Sequence, residues 1–124
     1  PKRSIKHYMT SPLITLKSTD SLMDVLSLLN RHRIHGAPVV ENGKLAGIIT
    51  MSDMAKAVEK EIPLSTKVAA CMTMNVVEAP SDVKLFEVIR QFKEREIGRL
   101  IVMEDGKPVG IITQSDIIRV FPSL

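Results

Sequence analysis

The sequence predicts an α+β protein made of two copies of one β-α-β-β-α unit, and three observations carry that reading. The first is a gapless internal repeat: Gly47-Ile48-Ile49-Thr50-Met51-Ser52-Asp53 returns as Gly110-Ile111-Ile112-Thr113-Gln114-Ser115-Asp116, an offset of 63 residues. Aligning residues 9–58 with 72–121 gives 16 identities in 50, where average residue usage would give roughly 3. The second is an apolar stripe at helical spacing, Leu22, Val25, Leu26 and Leu29 in one copy and Leu85, Val88, Ile89 and Phe92 in the other. The third is a pair of apolar runs around Asn42-Gly43, and again around Asp105-Gly106, dipeptides that suit a two-residue hairpin because both of its central residues need φ > 0.

Taken in order, each unit opens on a short apolar strand, Leu13 to Leu16 or Val76 to Ala79. The striped helix follows, with one buried face. Ser21 and Asp24 can form a capping box at its start in the first copy, and Ser81 or Asp82 can cap it in the second. The hairpin strands are Ala37–Val40 with Leu45–Thr50, and Leu100–Met103 with Pro108–Thr113. A last helix runs from about Ser52 to Val58, and from Ser115 to about Phe121 before Pro122. Glu59 to Cys71, with Pro63 and Ser65-Thr66, reads as a linker. The expected division is therefore residues 1–62, with the N-terminal segment, and 63–124, with the linker. Each unit is small enough to need the other to complete a core.

Composition narrows the function classes. The 124 residues are 44% hydrophobic and 25% charged, which suits a folded soluble chain. One cysteine, Cys71, excludes a disulfide framework and fits a reducing compartment. Four aromatics, Tyr8, Phe86, Phe92 and Phe121, are too few for a base-stacking platform. The net charge of +3 and pI near 9.2 suit anionic ligands without demanding one. No span resembles a membrane segment or a signal peptide, so the cytoplasm is the default location and no membrane partner is expected. A chain beginning at Pro1 has lost its initiator Met or is a fragment.

A β-α-β-β-α unit that opens on Met-Thr (Met9-Thr10, Met72-Thr73) and closes on Gly-x-x-Thr-x-x-Asp resembles the CBS domain, named after cystathionine β-synthase. The resemblance covers nearly the whole chain. It implies tandem CBS domains packed sheet to sheet about a pseudo-twofold axis, with two clefts between them that bind adenosyl ligands: AMP, ADP, ATP or S-adenosylmethionine. It assigns ribose contacts to Asp53 and Asp116, with Thr50 and Thr113 on ribose or phosphate. A carboxylate can accept both hydrogen bonds of a vicinal diol, and bonds to a charged acceptor are the stronger kind. A basic residue ahead of the second strand often reaches phosphate in this family. Arg99 holds that position in the second copy, but Gly36, preceded by His35, holds it in the first. The two sites are thus expected to be unequal, with His35 or Arg33 substituting in the first. Adenine would rest on aliphatic groups near Ile14, Val77 and Pro38. The resemblance further implies a regulatory module, stand-alone or excised, that signals to a partner protein or within a homodimer. Terminal-helix residues Met54, Ala57, Val58, Ile117, Ile118 and Phe121 are spaced either for that interface or for the core. Magnesium can accompany a polyphosphate without a protein ligand.

Plainer readings stand beside these. Thr-x-x-Asp after a strand is also a capping box, worth about 1 kcal/mol per cap, and both roles can share a helix N-terminus. Gly47 and Gly110 can serve close packing alone. His32 and His35 lack further ligands for a metal. Arg31, Arg33, Lys93 and Arg95 suit solvated helix faces better than a nucleic-acid stripe, and the basic start at Lys2, Arg3, Lys6 and His7 comes without a nucleic-acid-binding signature. An enzyme using Asp53 or Asp116 as acid or base would lack a nucleophile-base pair.

Overall fold

The structure, a computed structural model, describes residues 3–120, and within them each repeat builds a three-stranded mixed sheet and two α-helices. In chain order these are β1 (Leu16–Lys17), α1 (Leu22–His32), β2 (Gly36–Glu41), β3 (Lys44–Thr50) and α2 (Met51–Glu59). They recur as β4 (Glu78–Pro80), α3 (Leu85–Arg95), β5 (Arg99–Glu104), β6 (Lys107–Thr113) and α4 (Gln114–Val120). Phe121, expected at the end of α4, lies outside the described residues, as does Lys2. Among the described residues no helix is long and apolar enough to cross a membrane.

The hairpins form as their turn residues require. Asn42 and Gly43 have φ of 53° and 75°, and Asp105 and Gly106 have 52° and 76°. In each sheet the middle strand pairs parallel with the short first strand (Leu16 with Val39, Glu78 with Ile101) and antiparallel with the third. The helical stripes are buried as spaced: Leu22, Val25 and Leu29 on α1, and Leu85, Val88 and Phe92 on α3. Ser21 and Asp24 form a reciprocal capping box on α1. For α3 the cap expected at Ser81 or Asp82 is not the observed one. The helix starts at Leu85, so its N-cap is Lys84, the counterpart of Ser21, and a lysine side chain has no acceptor for an amide.

Two segments are more closely packed than their composition suggests. The 59–71 segment lies against the first unit: Val68 is fully buried in a core with Leu22, Val25, Val39 and Ile49, and the amides of Leu22 and Met23 donate to the carbonyls of Thr66 and Leu64. The basic start packs as well. Ile5, within a 3-10 turn Ile5–His7, is fully buried against Ala79, Leu85, Val88, Leu100 and Ile112.

The compact units consequently do not coincide with the halves 1–62 and 63–124. One unit is Ile14–Val76; the other joins the chain up to Leu13 with the chain from Val77 onward. The Met-Thr segment that begins each repeat in sequence lies on the sheet of the other repeat. Thr10 bridges to Ile111, and Thr73 to Ile48. Among the terminal-helix residues, Met54, Ala57 and Ile117 belong to the cores while Val58 and Ile118 are exposed.

Candidate functional site

Each Thr-x-x-Asp stands where the third strand breaks into a helix. Thr50 keeps an extended backbone (φ −123°, ψ 168°) and is the N-cap of α2, so Asp53 falls at the third helical position and turns back toward the strand end. The Asp53 amide donates to Thr50 Oγ1 (3.2 Å), while Asp53 Oδ2 accepts from the Thr50 amide (2.9 Å) and hydroxyl (3.0 Å). The second copy repeats this: the Asp116 amide donates to Thr113 Oγ1 (3.3 Å), and Asp116 Oδ2 accepts from the Thr113 amide (2.9 Å) and hydroxyl (3.2 Å). The capping reading is thus a structural fact at both motifs.

Capping uses only one oxygen of each carboxylate. Asp53 Oδ1 accepts from the Thr73 hydroxyl (3.0 Å), and Asp116 Oδ1 from the Thr10 hydroxyl (3.2 Å). Asp116 Oδ1 also accepts from Arg119 Nη2. As whole residues Asp53 and Asp116 are 9% and 5% exposed, and a buried charge is tolerable only when hydrogen-bonded or paired. An acceptor already served by an alcohol can take another alcohol in its place with little change in bonding, and each oxygen has a second lone-pair site.

The other expected residues divide by position. Arg99 is the cross-strand partner of Thr113, and Gly36 that of Thr50, so both lie beside the motifs. His35 is exposed, and its carbonyl accepts from the Met51 amide (2.9 Å) at the start of α2. Pro38 is buried opposite Ile48, two residues further along β2 from the motif. Ile14 and Val77 are half-buried just ahead of β1 and β4, so the middle strand of each sheet separates them from its Thr-x-x-Asp. Two surface depressions, of about 430 Å³ by Lys17, Glu41 and Asn42 and about 240 Å³ by Pro80, Met103 and Asp105, lie at the hairpin ends and contain none of these residues.

Thr10, Thr73 and Arg119 were not singled out as site residues by sequence reasoning. The threonines had a signal: both are invariant across the repeat although they fall outside any expected helix or strand. Arg119 had none, because its counterpart is Lys56.

A buried carboxylate pinned at a strand-to-helix junction is thus duplicated at a fixed offset on two β-α-β-β-α units. The CBS domain family model matches residues 5–60 and 68–123, and the chain belongs to that family. It is similar to the CBS domain pair of a protein named MJ0100, solved in complex with 5′-methylthioadenosine and S-adenosyl-L-methionine (34% identity, TM-score 0.89, 99% of this chain and 98% of that one). It is also similar to the L-aspartate semialdehyde sulfurtransferase of Methanocaldococcus jannaschii, at 35% identity over 98% of this chain and 24% of the enzyme. The CBS domain-containing protein YhcV of Bacillus subtilis is 26% identical over 92% of this chain and 82% of its own. Of the first curated relatives it matches, the chain spans only 24 to 43% of the length.

Proposed function

We propose that the chain is a non-catalytic regulatory module that binds an adenosyl ligand through Asp53, Asp116 or both. The ligand classes are AMP, ADP, ATP, S-adenosylmethionine and its thioether relative 5′-methylthioadenosine, with magnesium accompanying a polyphosphate. Ligand state passes to a regulated protein or within a homodimer, and the compartment is the cytoplasm. The observation that carries this reading is the hydroxyl held on Oδ1 of each buried carboxylate, Thr73 on Asp53 and Thr10 on Asp116. A ribose diol presents the same donors to the same atom. Arg99 and His35 serve the phosphates, and Ile14, Val77 and Pro38 the adenine. The ligands of the MJ0100 pair, at 34% identity, support the adenosyl class. Ligand can shift the module only by binding its two states unequally.

The formed capping boxes favour a second reading, in which the motifs are helix caps and nothing more. Thermal melting separates the two, run with AMP, ADP, ATP, S-adenosylmethionine, 5′-methylthioadenosine and a short DNA duplex on wild type, Asp53→Ala and Asp116→Ala. At a ligand concentration about 100-fold above Kd, binding adds about 2.7 kcal/mol and on the order of 10 °C to Tm. The proposal expects that increment with an adenosyl compound and its loss in at least one Asp variant. A lower baseline Tm with the full wild-type increment in both variants assigns the motifs to capping alone. A shift with the duplex only makes the chain a nucleic-acid binder.

A further inference from the structure

We propose that Arg119 makes the Asp116 site more selective than the Asp53 site for adenosyl ligands that carry phosphate. The inference rests on the adenosyl-binding reading above and adds a division of labour between the two sites. The two carboxylates match atom for atom except on Oδ1. There Asp53 accepts from Thr73 alone among the described residues, whereas Asp116 accepts from both Thr10 and the Arg119 guanidinium. The residue at the Arg119 position in the first copy is Lys56, for which no bond to Asp53 is found among the described residues.

Arg119 is well placed to change partner. Its side chain is 71% exposed while that of Asp116 is 4% exposed, so the cation ends in solvent and its acceptor does not. When the guanidinium leaves, Asp116 keeps the Thr113 amide and hydroxyl on Oδ2 and a hydroxyl on Oδ1, so its buried charge is not left without partners. A nucleoside whose diol takes Oδ1 sends the guanidinium back to water. A ligand that also carries phosphate gives the planar guanidinium a more highly charged partner, two of whose oxygens can accept its paired N–H donors. Arg99, cross-strand from Thr113, adds a second cation to the same end of the sheet, where the first copy has Gly36. The residues following the Oδ2 and Oδ1 donors differ in the same sense. In the first unit they are the exposed thioethers Met51 and Met74, and in the second Gln114 and Ser11.

Adenosine and AMP, which differ only in the phosphate, are the probes. Titration of the full chain is followed site by site through the backbone amide resonances of Thr50 and Asp53 and of Thr113 and Asp116. The expected result is that AMP binds the Asp116 site at least about tenfold more tightly than adenosine, and that Arg119→Met narrows this ratio to about threefold or less. The ratio at Asp53 stays the same in wild type and in Arg119→Met, and Lys56→Met changes neither. Because the readout is a ratio of two affinities within one protein, a general loss of stability does not move it. An unchanged ratio in Arg119→Met, its complete loss in Arg99→Met with Arg119 intact, or equal binding of AMP and adenosine at Asp116 in wild type overturns the role of Arg119. Those three outcomes leave adenosyl binding standing. If adenosine, AMP, 5′-methylthioadenosine and S-adenosylmethionine all leave both sets of amides unmoved, the adenosyl reading fails and this inference with it.

Discussion

A Cβ added at Gly47 would sit 2.8 Å from the Met72 Sδ and 2.8 Å from the Thr73 carbonyl oxygen. The first atom is the far end of a flexible side chain, but the second is backbone, fixed by the exchange of hydrogen bonds between Thr73 and Ile48 (2.8 Å each way). At Gly110 the nearest obstacles are the Sδ and Cγ atoms of Met9, which a rotamer change moves, and only Met9 Cβ at 3.2 Å is fixed by backbone. The two glycines are equivalent in the repeat yet differ in tolerance. Gly47→Ala should cost about 2–3 kcal/mol, and Gly110→Ala about 1 kcal/mol, in urea denaturation; equal costs would show that the Thr73 backbone yields as readily as a methionine. The repeat made both positions visible, and close packing was the right physical reason. The identity of what packs there was not legible, because aligning two copies pairs equivalent residues and does not say which copy's strand a leading segment joins.

Among the elements, the helices were the most legible and their caps less so. The stripes of α1 and α3 follow from spacing alone, since a residue every third or fourth position returns to the same face. Caps depend on register to a single residue, and the offset of 63 residues supplies it: α3 begins at Leu85 because α1 begins at Leu22, which puts Lys84 and not Ser81 at the cap. Ser81 instead joins the sheet edge, its amide donating to the Met103 carbonyl (2.9 Å), an interaction that survives loss of the hydroxyl. Ser21→Ala should therefore cost about 1 kcal/mol, while Ser81→Ala stays within about 0.5 kcal/mol, both measured by equilibrium unfolding. A larger loss at Ser81 than at Ser21 would restore the cap that sequence proximity suggested. The 59–71 segment shows the opposite weakness of sequence reading. Its Pro, Ser and Thr content signals a loop correctly, but composition does not reveal that Leu64, Thr66 and Val68 are tied to the first turn of α1 and to its core.

At the scale of the molecule, the chain crosses over on itself: the residues ahead of the first sheet complete the unit that follows residue 76. Ile5 is the clearest case, fully buried beside Leu85, Val88, Leu100 and Ile112 although 80 or more residues precede those partners in the chain. Its backbone is held there too, with the Ile5 amide donating to the Val83 carbonyl (2.8 Å) and the Leu85 amide to the Arg3 carbonyl (3.2 Å). A single isoleucine in a basic heptad carries no periodicity, so the sequence offered charge as its visible property and hid its burial. Truncating it removes apolar contacts and leaves a cavity, for which Ile→Ala costs about 2–5 kcal/mol. Native-state hydrogen exchange locates that loss, because amides report the opening of the unit to which they belong. Ile5→Ala should speed exchange at Leu100, Val102 and Ile112 while Val39 and Ile49, which share a core with Leu22 and Val68, keep their protection. Faster exchange at Val39 and Ile49 with none at Leu100 would mean that the first thirteen residues belong with the repeat they precede in sequence. Thr10 lies in the same segment, so the variant also probes function: a loosened segment carries the hydroxyl away from Asp116 Oδ1 but leaves Thr73 on Asp53.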